Sequence, residues 1–324
     1  MSHAPAARAV FACFLALAAW SAPARAEWPD HALRIVVNFA PGGAADVLGR
    51  SLGPPLSQAL KQPIVIDNRP GANGNIGAQE VVRAKPDGYT LLMSSGSAIS
   101  INPLIYSNLG FNPGKDLVPV ASVARILLYL ETNPSVPVTN VAEFIAYAKA
   151  NPGKLSFGSP GAGSSPHLAG EMFKRMTGVD LLHVPYKGAG PAMMDVLSGQ
   201  LQFWFDPGPG LHYVKDGKLR LLAVGSPKRS PQYPDVPTLS ESGLAGFDAD
   251  TVFGIYAPAG TPPAVVERLH DEINKVLATQ AFADVLLNLG AEPAIMSRAE
   301  FIDFLGHERD RFGTLVKEIG LKLD

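Results

Sequence analysis

The feature of this 324-residue chain that most constrains its fold is a repeated alternation of short apolar runs with longer helical patterns. Some runs are continuous, such as Ile35-Val36-Val37, which is typical of parallel strands buried on both faces. The alternation predicts an α/β fold with mostly parallel sheets. The predicted strands are Arg34–Phe39, Ile64–Asp67, Thr90–Ser94, Leu127–Glu131, Leu155–Phe157, Leu181–Val184, Leu201–Phe205, Leu219–Val224 and Phe253–Ala257.

Helix start signals fall between these strands. The pairs Asn140 with Glu143 and Ser297 with Glu300 resemble capping boxes. The predicted helices begin near Asn140, Pro166, Pro191, Thr261 and Ser297. Since no internal repeat and no low-complexity linker divides the chain, we expect two α/β lobes joined by strands that cross between them.

The first 26 residues have the layout of a secretory signal peptide. Arg8 gives a positive start, Ala9–Trp20 is apolar throughout, and an A-x-A cleavage site ends at Ala26. An apolar run of twelve residues is too short to cross roughly 30 Å of bilayer hydrocarbon as a helix. Cys13 lies inside this run rather than after it, so it does not indicate a lipoprotein. We therefore expect an exported, periplasmic protein that begins at Glu27.

Composition excludes several classes of protein. With 47 % hydrophobic and 17 % charged residues, the chain does not have the composition of a disordered protein. Its net charge of −2 gives no basic excess for binding nucleic acid. Cys13 is the only cysteine, and the seven histidines lack the close spacing of metal ligands, so we expect neither disulfides nor a bound metal.

Motifs of several common enzyme classes are also missing from the sequence. Gly161-Ala162-Gly163 is followed by Pro166 where a dinucleotide-binding turn needs glycine. Neither a phosphate-binding P-loop nor a serine nucleophile elbow is present. We therefore expect no cofactor and favour a binding protein over an enzyme.

Loops rich in small residues follow four of the predicted strands. They span residues 40–46, 95–98, 158–165 and 185–190, and three of them open a helix. Ligands of open α/β sheets bind beyond the carboxyl ends of the strands, and a helix N-terminus offers free N–H groups with a partial positive charge. Each loop alone is readily explained as an ordinary turn. Their recurrence predicts a site for carboxylates that needs no buried arginine.

Several residues near these loops have two interpretations. His167 either faces the cleft or lies on the surface, and Asp46 is either a ligand contact or an exposed acid at a helix start. Asp206 either accepts a hydrogen bond from the ligand or caps the loop that follows it. Four aromatic residues either belong to the core or stack on a ligand, and they are Trp204, Phe205, Tyr213 and Phe253.

A series of short motifs runs along the chain after residue 26. They are Trp28-Pro29, Phe39-Ala40-Pro41-Gly42-Gly43 with Asp46 and Arg50, Asp67-Asn68-Arg69-Pro70-Gly71-Ala72, Pro86-Asp87-Gly88-Tyr89-Thr90-Leu91, His183-Val184-Pro185-Tyr186-Lys187-Gly188, Asp235-Val236-Pro237-Thr238 and Ala257-Pro258-Ala259-Gly260-Thr261-Pro262. Together they resemble the substrate-binding proteins of tripartite tricarboxylate transporters, the Bug or TctC-like family.

This resemblance implies a periplasmic two-lobe fold of the Venus-flytrap type (type II-like), with one lobe formed by residues 27–127 plus 249–324 and the other by residues 128–248. It implies a small carboxylate held in the cleft by backbone N–H groups, hydroxyls and water, and docking onto a two-subunit membrane permease. We expect a monomer. The residues that the resemblance assigns to the ligand are Phe39, Ala44, Asp46, Ser95, Ser97, Gly163, Ser164, His167, Gly188, Ala189 and Asp206.

Two departures from the family pattern concern the ligand. Thr251-Val252 precede Phe253-Gly254 where the family often has tryptophan, and residues 203–210 are unusually aromatic and rich in Gly and Pro. They favour a longer dicarboxylate or an aromatic carboxylate such as phthalate or terephthalate, with Trp204 and Phe205 beside it. Two other functions fit the same fold and stay open: a sensor that signals to a membrane kinase, and an exported enzyme that acts on a carboxylate.

Overall fold

The computed structural model describes residues 28–323, apart from the side chain of Ser97. The predicted signal peptide, residues 1–26 with Cys13, lies outside the described residues. The described strands are β1 (Leu33–Val37), β2 (Ile64–Asn68), β3 (Thr90–Ser95), β4 (Leu117–Ile126), β5 (Tyr129–Thr132), β6 (Ser156–Ser159), β7 (Leu182–Pro185), β8 (Phe203–Asp206), β9 (Arg220–Val224), β10 (Thr251–Pro258) and β11 (Glu292–Pro293).

Helices connect most of these strands. They are α1 (Ala44–Leu60), α2 (Asn75–Val82), α3 (Asn102–Ile105), α4 (Pro113–Asp116), α5 (Val141–Ala150), α6 (Ser165–Thr177), α7 (Ala189–Leu197), α8 (Leu211–Lys215), α9 (Pro263–Leu277), α10 (Gln280–Asn288) and α11 (Arg298–Ile319), with a 3-10 turn at Ala72–Gly74 and a π-helical turn at Ser97–Ile101. Asn140 caps α5 and Ser297 forms a full capping box with Glu300 at α11, as the sequence predicts.

The strands form two sheets, one in each lobe. The sheet of lobe 1 has the order β11-β4-β10-β3-β1-β2, and the sheet of lobe 2 has the order β7-β6-β8-β5-β9. Apolar faces of α1 and α9 pack on the lobe 1 sheet, with Leu48, Leu52, Leu269 and Ile273 buried against Ile35 and its neighbours. In lobe 2, several phenylalanines fill the core between the sheet, α5 and α6.

Both sheets are mixed, so the prediction of mostly parallel sheets is wrong in that respect. Parallel pairs join β1 to β2 and β3, and join β6 to β7 and β8. A helix after each strand returns the chain to the end of the sheet at which that strand began, so the next strand runs in the same direction. Antiparallel pairs join β10 to β3 and β4, and join β5 to β8 and β9, where the chain crosses between the lobes. The strand β4 was not predicted because Pro119 interrupts its apolar pattern.

The chain crosses between the lobes twice, and the two crossings are hydrogen-bonded to each other. It leaves lobe 1 after β4 through Leu127 and Leu128, and it returns to β10 through residues 225–250. Gly225 N–H donates to Leu128 O at 2.6 Å, and Ala249 N–H donates to Gly225 O at 3.0 Å. The crossings therefore form one continuous side of the cleft between the lobes. Over residues 28–323, no helix has both the length and the apolarity needed to span a bilayer.

Candidate functional site

A cavity of about 30 Å³ lies between the two lobes, where the ends of their strands face each other. Because this volume is about that of a single water molecule, the lobes must move apart for a larger ligand to enter. None of the residues lining it carries a charged side chain. They are Phe39, Gly43, Ala44, Ala45, Ser95, Pro160, Ser164, Ser165, Pro166, Ala189, Pro207 and Phe253.

Three helices begin at this cavity. The first residues of α1, α6 and α7 are Ala44, Ser165 and Ala189, and all three lie in the cavity wall. The first N–H groups of a helix have no partner within the helix and carry part of the positive end of its dipole. The cavity wall therefore contains the starts of helices from both lobes and, among the described residues, no cationic side chain.

The structure brings five of the predicted site residues together in the cavity wall: Phe39, Ala44, Ser95, Ser164 and Ala189. Five others lie behind the wall or at the contact between the lobes, and they are Asp46, Gly163, His167, Gly188 and Asp206. The side chain of Ser97 lies outside the described part of the chain. The structure also places Ser165 and Phe253 at the cavity, and the motifs did not assign these two residues to the ligand.

Asp46 holds the first loop from behind. It is buried, so the interpretation as an exposed acid is wrong. Its carboxylate accepts hydrogen bonds from Gly42 N–H at 3.0 Å, Arg50 Nε at 2.9 Å and Asn68 Nδ2 at 2.9 Å. Burial works to raise the pKa of Asp46, but these hydrogen bonds outweigh it and keep the pKa below its usual range. An ionised Asp46 thus fixes the turn that ends at the start of α1.

His167 holds the third loop in the same way. It is buried rather than on the surface, and its Nδ1 accepts a hydrogen bond from Gly163 N–H at 2.9 Å. Ser164 caps α6 by accepting from His167 N–H at 3.4 Å, and its hydroxyl donates to Gly161 O at 2.7 Å. Burial, with Lys174 nearby, lowers the pKa of His167 to about 4. The ring is therefore neutral at pH 7 and able to accept the loop N–H.

Asp206 and Glu131 form a buried pair of acids beneath the loop that follows β8. Asp206 accepts a hydrogen bond from Gly210 N–H at 2.8 Å, which caps the loop that follows β8. Glu131 lies on the neighbouring strand and accepts from Trp204 Nε1 at 2.9 Å. Burial raises the pKa of Asp206 to about 7, and burial together with the Asp206 charge raises the pKa of Glu131 well above its usual range. Two buried carboxyls on neighbouring strands cannot both ionise at low cost, which favours a proton on one of them.

Glu308 supports the second loop, which follows β3. It is buried on α11 next to Gly96, where a Cβ atom would collide with its carboxyl group. Its Oε1 accepts a hydrogen bond from Thr251 Oγ1 at 3.2 Å. Burial raises the pKa of Glu308 to about 7, although the charge of Arg311 acts to lower it. The C-terminal helix thus positions the residue after Ser95.

The aromatic residues divide between the core and the cavity. Trp204 and Phe205 are both 0 % exposed and pack inside lobe 2, so the structure does not place them beside a ligand. Tyr213 packs against the same cluster as Trp204. Phe253 lines the cavity together with Phe39, and both also contact the core of lobe 1.

Comparison with known proteins gives the same assignment as the motifs. The model of the tripartite tricarboxylate transporter family receptor matches residues 48–321. The chain belongs to this family. Protein BugT of Bordetella pertussis is 37 % identical over 318 residues, which cover 97 % of this chain and 98 % of BugT.

Solved structures of relatives share the fold of this family member. R. palustris Rpa4515, solved with adipate, is 35 % identical with a TM-score of 0.89, covering 91 % of this chain and 99 % of that protein. The periplasmic binding protein BugD is 34 % identical with a TM-score of 0.87, covering 91 % and 99 %. MatC (Rpa3494) from Rhodopseudomonas palustris, with bound malate, is 28 % identical with a TM-score of 0.85, covering 89 % and 100 %.

Family membership confirms the resemblance drawn from the motifs and the two-lobe α/β fold that it implies. Because the family consists of transporter receptors, the chain is a solute-binding protein and not an enzyme.

Proposed function

We propose that this protein is an extracytoplasmic solute-binding protein that captures a small carboxylate between its lobes and delivers it to the two-subunit membrane permease of a tripartite transporter. The observation that carries the proposal is a cavity at which three helices begin and which no charged side chain of the described residues lines. Two relatives, Rpa4515 and MatC, have been solved with adipate and with malate.

The cavity suits a carboxylate because its donors are neutral groups with a positive local field. A carboxylate accepts strong hydrogen bonds from backbone N–H groups at a helix start. The hydroxyls of Ser95, Ser164 and Ser165 add further donors in the wall. Phe39 and Phe253 supply apolar surface for the carbon skeleton between or beside the acid groups. Trp204 and Phe205 are buried in lobe 2, so an aromatic carboxylate in the cavity would contact the rings of Phe39 and Phe253 instead.

The proposed ligand contacts are the predicted residues in the cavity wall, together with Ser165 and Phe253. Those predicted residues are Phe39, Ala44, Ser95, Ser164 and Ala189. Among the other predicted residues, Asp46, Gly163, His167 and Asp206 hold turns in place. We further propose the lobe boundaries 27–127 plus 249–324 and 128–248, cleavage after Ala26, a periplasmic location and a monomeric state. The periplasmic location is supported by the relative BugD, a periplasmic binding protein.

Delivery depends on closure of the lobes about the two crossings. A ligand that contacts both lobes stabilises the closed form only by its differential affinity for that form. The donors of α1 belong to lobe 1 and those of α6 and α7 belong to lobe 2, so one carboxylate bound at all three requires the lobes to meet. The permease would then recognise a surface that exists only when a ligand is bound.

A thermal-shift screen of the purified exported protein tests this function. The panel holds succinate, malate, adipate, citrate, aspartate, glutamate, nicotinate, phthalate and terephthalate, with dimethyl adipate as a control that has the carbon chain but no charge. A ligand at 100 times its Kd adds about 2.7 kcal/mol, which raises the Tm by several degrees. We expect one or more acids to raise the Tm and the ester to leave it unchanged.

Two results would contradict the proposal. One is a flat panel from protein whose denatured extract contains no carboxylate by mass spectrometry, because carried-over ligand would then not explain the lack of response. The other is chemical conversion of a bound acid during incubation, since a binding protein releases its ligand intact.

A further inference from the structure

The first and fourth loops contact each other directly across the cleft. Ala40 N–H donates a hydrogen bond to Lys187 O at 3.2 Å. A Cβ atom placed on Gly43 would lie 3.3 Å from Ala189 Cβ. The two lobes therefore meet here through backbone rather than through long side chains.

Two glycines of lobe 2 permit this approach. A Cβ atom on Gly188 would lie 2.7 Å from Ala40 Cβ and 2.8 Å from Ala40 N, and one on Gly190 would lie 2.8 Å from Pro41 O. Cβ atoms do not come so close to backbone atoms in folded proteins. Any side chain at either position would push the first loop away.

Lobe 2 by itself does not require glycine at these positions. Gly188 has φ 165° and ψ 170°, which is extended backbone that any residue adopts. Gly190 lies in the first turn of α7, and the three atoms nearest to a Cβ placed there, chain neighbours aside, all belong to Pro41 and Gly42 of lobe 1. The need for glycine therefore comes from the neighbouring lobe, and only while the lobes are together.

The contact also lies far from the crossings between the lobes. In lobe 1, β3 separates β1 from the crossing strand β10, and in lobe 2, β6 and β8 separate β7 from the crossing strand β5. Neighbouring strands are about 4.8 Å apart, so a rotation about the crossings moves the first and fourth loops further than the loops next to the crossings. The Gly188–Ala40 contact is thus more sensitive to the angle between the lobes than contacts next to the crossings.

We propose that Gly188 and Gly190 are positioning residues that set the affinity of this protein by allowing the lobes to close, rather than residues that contact the ligand. This inference rests on the proposed function as a solute-binding protein that closes around its ligand. A side chain at either position would lower the population of the closed form, and the apparent affinity falls with that population.

Disulfide trapping tests closure without any ligand. Cysteines introduced as Gly43→Cys and Ala189→Cys would place their Cβ atoms within a few tenths of an ångström of ordinary disulfide spacing. Cys13 lies in the predicted signal peptide, so the exported protein brings no competing thiol. The rate of disulfide formation is measured in this pair alone, and then with Gly188→Ala, Gly190→Ala or Gly306→Ala added. Gly306 is the matched control, because a Cβ atom there meets no other atom within 4 Å.

We expect the pair to oxidise, Gly188→Ala and Gly190→Ala to slow oxidation by about tenfold or more, and Gly306→Ala to leave the rate unchanged. Thermal unfolding of the reduced proteins separates closure from folding: Gly188→Ala should leave the Tm nearly unchanged while it slows oxidation, because the extended backbone at this position accepts a side chain. Failure of the pair to oxidise, or equal rates in all four proteins, would overturn the proposal.

A second measurement distinguishes this inference from the proposed function. Any acid that raised the Tm in the screen is titrated against wild type, Gly188→Ala and Gly306→Ala by calorimetry. We expect Gly188→Ala alone to weaken binding, by about tenfold or more. If no acid binds wild type while Gly188→Ala still slows oxidation, the proposed ligand class is wrong and the closing contact stands. If acids bind both variants equally, the closing contact is wrong and the ligand class stands.

Discussion

Phe253 lies directly opposite Ser95 in the antiparallel register of β10 and β3, and both residues line the cavity between the lobes. Opposite residues of an antiparallel pair project to the same face of the sheet. The pair therefore places an aromatic ring beside a hydroxyl on the lobe 1 side of the cavity. Phe253 also belongs to the core of lobe 1, so its position is fixed by packing as well as by the strand.

We expect Phe253→Leu to weaken binding of the preferred acid by about 1 kcal/mol, roughly fivefold, because apolar surface in the wall is lost. The change should affect longer and aromatic acids more than short ones. Calorimetric titration of the acids identified by the thermal-shift screen measures the Kd for each.

The matched control is Phe205→Leu, which makes the same substitution in the lobe 2 core, away from the cavity. Both variants should lose stability by about 1 kcal/mol in urea unfolding, but only Phe253→Leu should change the Kd. Equal Kd values in the two variants would remove Phe253 from the proposed site.

The position of Phe253 also shows what the sequence could not predict. The apolar run Phe253–Ala257 predicts a strand but not its direction, and in a mostly parallel sheet Phe253 would start its strand at the opposite end from Ser95, which ends β3. The direction of β10 depends on how the chain crosses back from lobe 2, and no local pattern records that crossing. By contrast, the loops at residues 40–46 and 158–165 were predicted because their small residues and helix starts are local signals.

The supporting residues behind the loops were harder to predict for a similar reason. Asp46 and Arg50 are one helical turn apart, a spacing that the sequence displays. Glu131 and Asp206 are 75 positions apart in number and meet only because β5 pairs with β8. His183 stands out in the sequence only as part of a motif, and its contact with His167 arises from the packing of β7 beside α6. Such contacts depend on tertiary packing between distant segments, for which the sequence shows no local pattern.

The stacked rings of His167 and His183 make the stability of the protein depend on pH. Their centroids are 3.8 Å apart with an interplanar angle of 15°. Burial, assisted by neighbouring positive charge, lowers the pKa of His167 to about 4 and that of His183 to about 3. In the unfolded chain both pKa values are about 6.5. The two histidines therefore bind more protons in the unfolded chain below pH 6.5, and their contribution to the free energy of unfolding falls as the pH drops from about 6.5 towards 4.

We expect His183→Gln to reduce this loss of stability in urea unfolding measured between pH 4.5 and 7, by up to about 1.4 kcal/mol per pH unit. His307→Gln is the control, because His307 is exposed on α11. The interpretation is wrong if the His183 and His307 variants have the same pH dependence as wild type.

The acids Glu131 and Asp206 change the free energy of unfolding with pH in the opposite direction to the histidines. Their pKa values are raised in the folded protein, to about 7 for Asp206, whereas a free aspartate has a pKa of about 3.9. These acids therefore bind more protons in the folded protein between about pH 4 and 7, and their contribution to the free energy of unfolding falls as the pH rises through that window, against that of the histidines. We expect Asp206→Asn to make the decline between pH 5 and 8 smaller, since its amide can still accept from Gly210 N–H and donate to Glu131.

Asp303→Asn on the exposed face of α11 serves as the comparison for Asp206→Asn. Urea unfolding at pH 5, 6.5 and 8 measures the effect in both variants and in wild type. A decline of the same size in all three proteins would mean that the buried pair does not hold the proton assigned to it.

Ser164 has a structural role at the start of α6 and a proposed contact with the ligand. The substitution Ser164→Gly separates the effects of these two roles. Its hydroxyl donates to Gly161 O at 2.7 Å, and that oxygen also accepts from Ser164 N–H and from Ser159 Oγ, so the hydroxyl can turn to a carboxylate without leaving Gly161 O unpaired. Glycine replaces serine at a helix N-cap for only a few tenths of a kcal/mol.

We therefore expect Ser164→Gly to weaken binding of the preferred acid by about 1.5–3 kcal/mol, roughly 10- to 150-fold, because a hydrogen bond to a charged group is lost. Thermal unfolding should change little. Asn140→Gly is the matched control: Asn140 caps α5 by accepting from Glu143 N–H at 2.9 Å and is exposed, away from the cavity. It should show the same small effect on the Tm and an unchanged Kd. If calorimetry gives the Ser164 and Asn140 variants equal affinity, Ser164 supports the start of α6 and does not bind the ligand.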